Sequence, residues 1–596
     1  MTYKAPTQDM LFNIRHIANI DAIAEMPAYA DAGFDTAQAV LEECAKFNEA
    51  VVAPLNWAGD QNPSHWENFA VKTTPGFKEA FQQYGQAGWQ GLQHPPAYGG
   101  QGLPKTIGAA CGEMLNAANL SFALCPLLTD GAIEALITAA SDELKDRYLA
   151  KLISAEWTGT MNLTEPQAGS DLALVRTKAV PQADGTYRIS GTKIYITYGE
   201  HDMAENIVHL VLARVEGAPA GVKGISLFVV PKVLVNNDGT LGARNDVQCV
   251  SIEHKMGIKA SPTAVLQFGD NGGATGYLVG EENRGLEYMF IMMNAARYAV
   301  GVQGIAIADR AYQKAVTYAR ERVQSRPVDG SMNQSAPIIH HPDVKRMLMT
   351  MRAYTEGCRA LATAAAAAFD AAHHHPDEAT RKANKAFYEF MVPLVKGFST
   401  EMSLEVTSLG VQVHGGMGFI EETGAAQYYR DAKILTIYEG TTAIQANDLV
   451  GRKTARDGAQ QALSLASQIA QTESALRASG TDDAQVMADA LQQSREAFEE
   501  AARFIASNAS TDPNAAFAGS VPYLMLTGMV MAGWQMARAL LVAQGPVDQD
   551  FGDAFVAAKR VTCRFYAEHI LRKVPGMRDS IVSGAGSVNG LALEAF

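Results

Sequence analysis

A glycine-dense stretch, His414-Gly415-Gly416-Met417-Gly418, is the first place in this sequence where residue types and spacing could do chemistry. Glycines at that density leave main-chain N–H groups uncovered, and such groups serve either an oxyanion or a ligand that carries phosphates or a flat ring. The oxyanion use belongs to esterases, which also need a Gly-x-Ser-x-Gly elbow. The nearest approach, Gly224-Ile225-Ser226-Leu227-Phe228, lacks the second glycine and lies in a β-forming run. Close approach to a ligand is therefore the favoured reading. Gly584-Ala585-Gly586 has a trace of a dinucleotide loop, but it neither follows a strand nor opens a βαβ unit, so a tail turn is expected. No glycine-rich run ends in Lys-Ser or Lys-Thr, which excludes a Walker A loop. His373-His374-His375 stands before Pro376 in what reads as a polar loop, and no HExxH set occurs, so no metal is expected.

The elements that must position such residues follow from size and periodicity. A chain of 596 residues exceeds one compact core and calls for three or four packed units. With 47% hydrophobic and 19% charged residues there is ample surface to bury. The net charge of −14 repels a phosphate backbone, so nucleic acid is not an expected partner. Cys44, Cys111, Cys125, Cys249, Cys358 and Cys563 are scattered and form no CxxC pair, as expected for buried thiols in a reducing compartment. Met1 to Arg15 has no secretory pattern, and the cytoplasm is the expected location. Val521 to Ala543 is apolar but interrupted by Gln535 and Arg538, which reads as a buried core helix and not a membrane span.

Helical spacing from about Thr36 to Ile153 gives way, between Glu156 and Glu282, to short β-rich runs at Tyr187–Ile189, Ile194–Thr197, Ile207–Ala213 and Ile225–Val230. Helical periodicity returns over Leu286–Arg322, Asp343–Asp370 and Lys382–Val413, and again beyond Arg452 with a loop at Ser507–Asn514. Because strands do not alternate with helices, a doubly wound sheet is excluded. The expected architecture is multidomain and mainly α with a central β-domain. Its parts are an N-terminal extension (1–35), a helical domain (36–155), a β-domain (156–282), a helical bundle (283–455) and an additional C-terminal helical domain (456–596).

Four stretches are more specific than any single signature: Leu163-Thr-Glu-Pro-Gln-Ala-Gly-Ser-Asp171, Lys193-Ile-Tyr-Ile-Thr-Tyr-Gly199, Gln412-Val-His-Gly-Gly-Met-Gly418 and Arg430-Asp-Ala-Lys-Ile-Leu-Thr-Ile-Tyr-Glu-Gly-Thr441. Shorter pieces accompany them at Gly99-Gly-Gln-Gly102, Lys255-Met-Gly-Ile-Lys-Ala260 and Gly280-Glu-Glu-Asn-Arg-Gly285. In order and spacing these resemble the motifs of the acyl-CoA dehydrogenase family over about residues 36 to 453. The added C-terminal helices resemble its large subgroup.

The resemblance implies a helical N-terminal domain, a β-barrel-like middle domain and a helical bundle. It also implies FAD and α,β-dehydrogenation of an acyl-CoA thioester. Its catalytic base falls on Glu439, 27 residues after Gln412. An apolar, water-excluding pocket would raise the proton affinity of such a carboxylate. Flavin contacts fall on Met161, Leu163, Thr164, Tyr195, Thr197 and Thr441, with Tyr195 departing from the tryptophan often found there. Ser170 matches a position near the pantetheine and phosphates, and Arg297, Tyr438 and Gly440 fall on the substrate side. Arg322, Gln412, Gly415, Gly416 and Gly418 match positions that receive the flavin of a neighbouring subunit, which implies a homodimer or homotetramer. Ser325 stands where the family often has an aromatic. An electron-transfer flavoprotein is the implied acceptor, although an acyl-CoA oxidase shares the base and the flavin. The family also includes flavin-binding, DNA-repair-associated members, but residues 456–596 carry 11 Lys and Arg against 15 Asp and Glu, not the basic face such a role needs.

Overall fold

A computed structural model describes residues 3–545 and 551–596. Residues 1–2 of the expected N-terminal extension and 546–550 of the expected added domain lie outside the described residues. The chain divides into two compact units, one comprising Met1–Lys46, Pro104–Ala117 and Arg297–Phe596, the other Phe47–Leu103 and Ala118–Ala296.

The second unit is built on β-structure. Its strands are β1 (His65–Glu67), β2 (Ala70–Lys72), β3 (Trp157–Asn162), β4 (Lys178–Pro181), β5 (Tyr187–Thr197), β6 (Asn206–Val215), β7 (Ser226–Pro231), β8 (Val233–Val235), β9 (Leu241–Arg244), β10 (Val247–Ile252), β11 (Thr263–Phe268) and β12 (Ala274–Val279). The main sheet runs β10-β11-β5-β12-β7-β6-β3, and β4 pairs with both β5 and β6. Strands β5, β12, β7, β6 and β4 therefore close on themselves, which is the barrel-like middle domain expected from the sequence. β6 and β7 are mostly apolar because they are buried along almost their whole length, with Asn206, His209 and Arg214 the polar exceptions in β6. Ile189, Val211, Phe228, Val230 and Phe268 fill the interior.

The helix Leu120–Ala139 opens at Asn119, whose side chain accepts the N–H of Phe122 at 3.1 Å. It packs on β3 at Gly159, where a Cβ would stand 2.5 Å from that of Ala132. Two sequence expectations change here. The first segment is not wholly helical, since β1 and β2 form a hairpin through Asn68 and Phe69, at φ 49° and 63°. Tyr187–Ile189 and Ile194–Thr197 are not separate strands but parts of the single strand β5.

The first unit is helical. Pro342–His374 and Glu378–His414 form a hairpin, the second helix capped by Asp377, which accepts the Thr380 N–H at 2.8 Å. His373 and His374 close the first of these helices and do not lie in a loop, because Pro376 forces only His375 into extended backbone. Among the described residues no group of His, Cys, Asp or Glu is arranged to hold a metal. Gly584 keeps helical dihedrals at the junction of Val574–Ser583 and Ala585–Asn589, so the expected tail turn is helical instead.

The added C-terminal helices belong to this same unit. Ser520–Gln544 crosses Glu378–His414 at glycines on both helices. A Cβ on Gly528 would lie 2.5 Å from that of Phe398, and one on Gly397 would lie 2.6 Å from Leu524. Leu120–Ala139, Gly285–Glu321 and Ser520–Gln544 are long and apolar enough to cross a membrane by length and composition, yet most of each apolar window is buried within the protein.

A buried ion network ties distant parts of this unit together. Arg359 reaches Glu113 and Asp9 at 2.6 Å and Asp309 at 3.1 Å, Lys559 bonds Asp9 and Glu356, and Arg352 bonds Glu356 at 2.7 Å. Four carboxylates against three cations leave one negative charge over. Burial pushes Glu113 up to about 7 in spite of Arg359 and raises Asp309 as well, so these are the two carboxyls on which the excess charge is disfavoured.

Candidate active site

In the β-sheet unit the Leu163–Asp171 loop leaves β3 and is fixed by one buried ion pair. Glu165 accepts from Lys193 Nζ at 2.8 Å, from the N–H groups of Arg176 and Thr177 at 2.7 and 3.1 Å, and from the Thr177 hydroxyl at 2.6 Å. Lys193 also donates to the Leu163 carbonyl at 2.9 Å, and the Ile194 N–H donates to the Thr164 carbonyl at 2.9 Å. Burial by itself raises the Glu165 carboxyl, but Lys193 and the Thr177 and Arg176 donors outweigh it and hold the group at about 2. Burial pulls Lys193 down to about 8 despite its partner.

The register of β5 against β11 slips between Leu266↔Lys193 and Ala264↔Ile196, so β5 carries an extra residue there. Within this bulge Tyr195 has φ 60° and is 60% exposed, a left-handed tyrosine turned out of the sheet. Left-handed backbone at a non-glycine residue costs about 1–2 kcal/mol, and such strain collects at functional sites. Leu163, Thr164, Thr197 and Met161 are half-buried, and neither threonine spends its hydroxyl on a partner among the described residues. A ledge with one open aromatic face and two uncommitted hydroxyls fits the flat, polar-edged ring of a flavin. Ser170 is exposed, and its neighbour Asp171 caps the next turn by accepting the Ala173 N–H at 3.0 Å.

In the helical unit Glu439 lies in a turn between Ile434–Thr436 and Thr442–Asp448. It is left-handed at φ 53°, and Gly440 follows at φ 87°. Glycine suits this backbone, and a Cβ there would also come within 2.7 Å of Gln445 Nε2, a side-chain end that could swing aside. Thr441 caps the next helix, its hydroxyl oxygen accepting the Ile444 N–H at 3.3 Å. Tyr438 donates to Gln303 at 2.5 Å, and Gln303 donates to Asn116 at 2.9 Å. The Glu439 side chain keeps some exposure, but the protein packed round its carboxyl pushes the pKa from 4.5 up to about 7, against the pull of Lys396 and then Arg297. Arg297 is 5% exposed, 3.9 Å from Asp448, and its Nε has no protein partner among the described residues. A carboxylate poised near neutrality beside two cations can remove a proton from a weak carbon acid.

A second group gathers where Gly285–Glu321 and Glu378–His414 end. Tyr318 stacks on His414 with ring centroids 4.4 Å apart, bringing Arg322, just past one helix end, together with Gln412 and the glycines at the other. Gly415 needs its φ of 58°, and a Cβ on Gly418 would come within 2.2 Å of the Val411 carbonyl. Gly416 meets neither demand and is simply open. Arg322 and Gln412 are exposed, as is Ser325, which is left-handed at φ 58°.

Three residues absent from the sequence-based site support its two parts. Glu165 and Lys193 stand inside the quoted motifs, though nothing in the sequence announces their pairing. Lys396 interrupts the apolar run Met391–Phe398, a signal that could have been read.

The chain matches family models described as acyl-CoA dehydrogenase N-terminal domain over residues 35–156, middle domain over 160–271 and C-terminal domain over 283–453. A fourth, described as acetyl-CoA dehydrogenase C-terminal like, matches 465–592. It is 56% identical over 571 residues to 3-methylmercaptopropionyl-CoA dehydrogenase of Ruegeria pomeroyi, covering 96% of each chain. It is 36% identical over 622 residues to the broad-specificity linear acyl-CoA dehydrogenase FadE5 of Mycobacterium tuberculosis, covering 100% of each. Among solved structures, an acyl-CoA dehydrogenase of Bacillus anthracis complexed with FAD shares the fold with a TM-score of 0.74 at 21% identity, over 95% of this chain and 93% of that one.

Proposed function

Because this chain belongs to the acyl-CoA dehydrogenase family, we propose that it oxidises an acyl-CoA thioester to the trans-2-enoyl-CoA with Glu439 as the base. FAD, when bound, supplies the acceptor for the hydride that leaves the β-carbon. Leu163, Thr164, Tyr195 and Thr197 hold the ring, and Met161 and Thr441 complete its contacts. Glu439 takes the proton from the α-carbon, and its own main-chain N–H faces the thioester oxygen as negative charge develops there. Arg297, Tyr438 and Gly440 shape the place of the acyl group, and Ser170 donates to the CoA portion.

The observation that carries this reading is the half-buried Glu439, held left-handed at φ 53° ahead of Gly440, with its carboxyl raised by burial to about 7. Glu439→Gln should keep bound yellow flavin while losing acyl-CoA-dependent bleaching; normal turnover by that variant overturns the assignment.

The identity to the Ruegeria pomeroyi enzyme supports 3-methylmercaptopropionyl-CoA as the substrate. Flavin reduction across a series containing that ester and linear acyl-CoA esters tests it. An electron-transfer flavoprotein is the proposed acceptor. Peroxide release in air without any acceptor indicates an oxidase instead. A homodimer or homotetramer is supported by Phe419, 85% exposed beside Gly418, and by the exposed Met417 and Ile420. Six buried cysteines, none in a disulfide among the described residues, favour a cytoplasmic location.

A further inference from the structure

Lys396 lies in the most apolar part of the Glu378–His414 helix, flanked by the fully buried Leu394, Val395 and Phe398 and itself 0% exposed. An ammonium taken out of water there is strongly disfavoured unless something opposes its charge. Both of its hydrogen bonds go to main-chain carbonyls, Leu435 at 2.8 Å and Gly440 at 2.7 Å. These two residues bracket Glu439. Carbonyl dipoles orient an ammonium but do not neutralise it.

We infer that Lys396 is the positioning residue of the proton-abstracting carboxylate, holding the 435–440 turn in its left-handed form and supplying the fixed counter-charge that keeps Glu439 ionised. This rests on the reading of Glu439 as the base. Two successive left-handed residues, one of them not glycine, form an unfavourable turn, and hydrogen bonds from a charged donor across its two ends oppose relaxation. Gln445 adds weaker contacts, its Nε2 reaching the Glu439 and Gly440 carbonyls at 3.4 Å.

The other charges near the turn do not replace Lys396. Arg297, from the Gly285–Glu321 helix, is already opposed by Asp448, which Arg452 also engages at 2.6 Å. Glu401, one turn beyond Lys396, accepts the Thr442 hydroxyl at 2.5 Å, and Tyr438 is neutral, its hydroxyl pushed up by burial. Lys396 therefore remains the cation whose charge Glu439 answers. Burial lowers it to about 8, with Glu439 pulling it back up and Arg297 pushing it further down.

The test is single-turnover flavin reduction by an acyl-CoA, followed against pH in the FAD-loaded enzyme. Lys396→Met should retain flavin. The apparent pKa for reduction should rise by about 1 to 3 pH units, the usual effect of one neighbouring cation on a carboxyl, so that the rate at pH 7 falls about 5-fold or more and recovers at alkaline pH. KM should move little, and Lys396→Arg should restore the wild-type pKa. An unchanged pKa, or a loss equal at every pH, overturns the inference. If the Met variant does not fold, Lys396→Gln, a neutral donor, is held to the same pKa criterion. Bleaching that survives in Glu439→Gln removes the base assignment itself, whereas bleaching lost there with an unshifted pKa in the Lys396 variants removes only the role of Lys396.

Discussion

Lys193 and Glu165 meet at 2.8 Å with side chains 0% and 3% exposed, and through the Leu163 carbonyl the lysine also grips the loop that carries Leu163 and Thr164. Removing one partner of such a pair leaves the other charge buried and alone, at a cost of about 3–5 kcal/mol. Lys193→Met should lose most of its bound flavin, read as the ratio of visible flavin absorbance to protein absorbance, and should melt earlier. The double variant Lys193→Met/Glu165→Gln should recover part of both. Full flavin content in the single variant refutes this account of the loop.

The raised pKa of Glu439 fixes the sign of two pH effects. As an acid pushed from 4.5 up to about 7, it acts as a base only once ionised, so flavin reduction should increase with pH through an apparent pKa near 7. The folded state also holds this proton more tightly than the unfolded chain. Its stabilising contribution is present below pH 4.5 and is lost as pH rises through 7. Glu439→Gln should therefore lose this pH dependence, so that its stability relative to the wild type is higher at pH 8 than at pH 5. Thermal melting at the two pH values measures the difference.

Tyr195 stores strain where an aromatic wall is needed. Tyr195→Gly should stabilise the apo-protein by about 1 kcal/mol by relieving the left-handed backbone, while weakening FAD binding. Apo melting and flavin titration are to be compared. A variant less stable without flavin, and equally tight with it, contradicts the argument.

Gly528 is where the added C-terminal helices press on the helix that holds Lys396. Placing a methyl 2.5 Å from the Phe398 Cβ overpacks this crossing, so Gly528→Ala should cost about 1–3 kcal/mol. It should also slow flavin reduction, because Phe398 lies two residues from Lys396. Melting together with single-turnover rates reports both effects.

The order of helical and β segments was legible because long periodic helices and buried β-runs leave strong patterns, as in Glu378–His414 and β7. The hairpin β1–β2 was not, since three-residue strands carry too little alternation to register. Glu439 could be located because its turn is a contiguous motif. Lys396 shows in the sequence only as a break in an apolar run, and its role, like the Glu165–Lys193 pairing, was not legible, because each acts on residues 28 to 44 positions away and only the folded chain brings them together. Tyr195 sits in an ordinary-looking alternation, Ile194-Tyr195-Ile196, and the extra residue that turns it outward is visible only in the pairing with β11.

The buried network that joins Asp9 to Lys559 spans 550 residues of sequence. A ribosome adding about 5–20 residues per second takes roughly half a minute to two minutes to cover that distance. Throughout that interval Asp9 has been made and its lysine has not. The N-terminal helix Thr7–His16 thus cannot complete its charge pairing during most of translation. Until then Asp9 has only Arg359, 350 residues on, to pair with, and chains truncated before residue 559 should hold this helix less firmly.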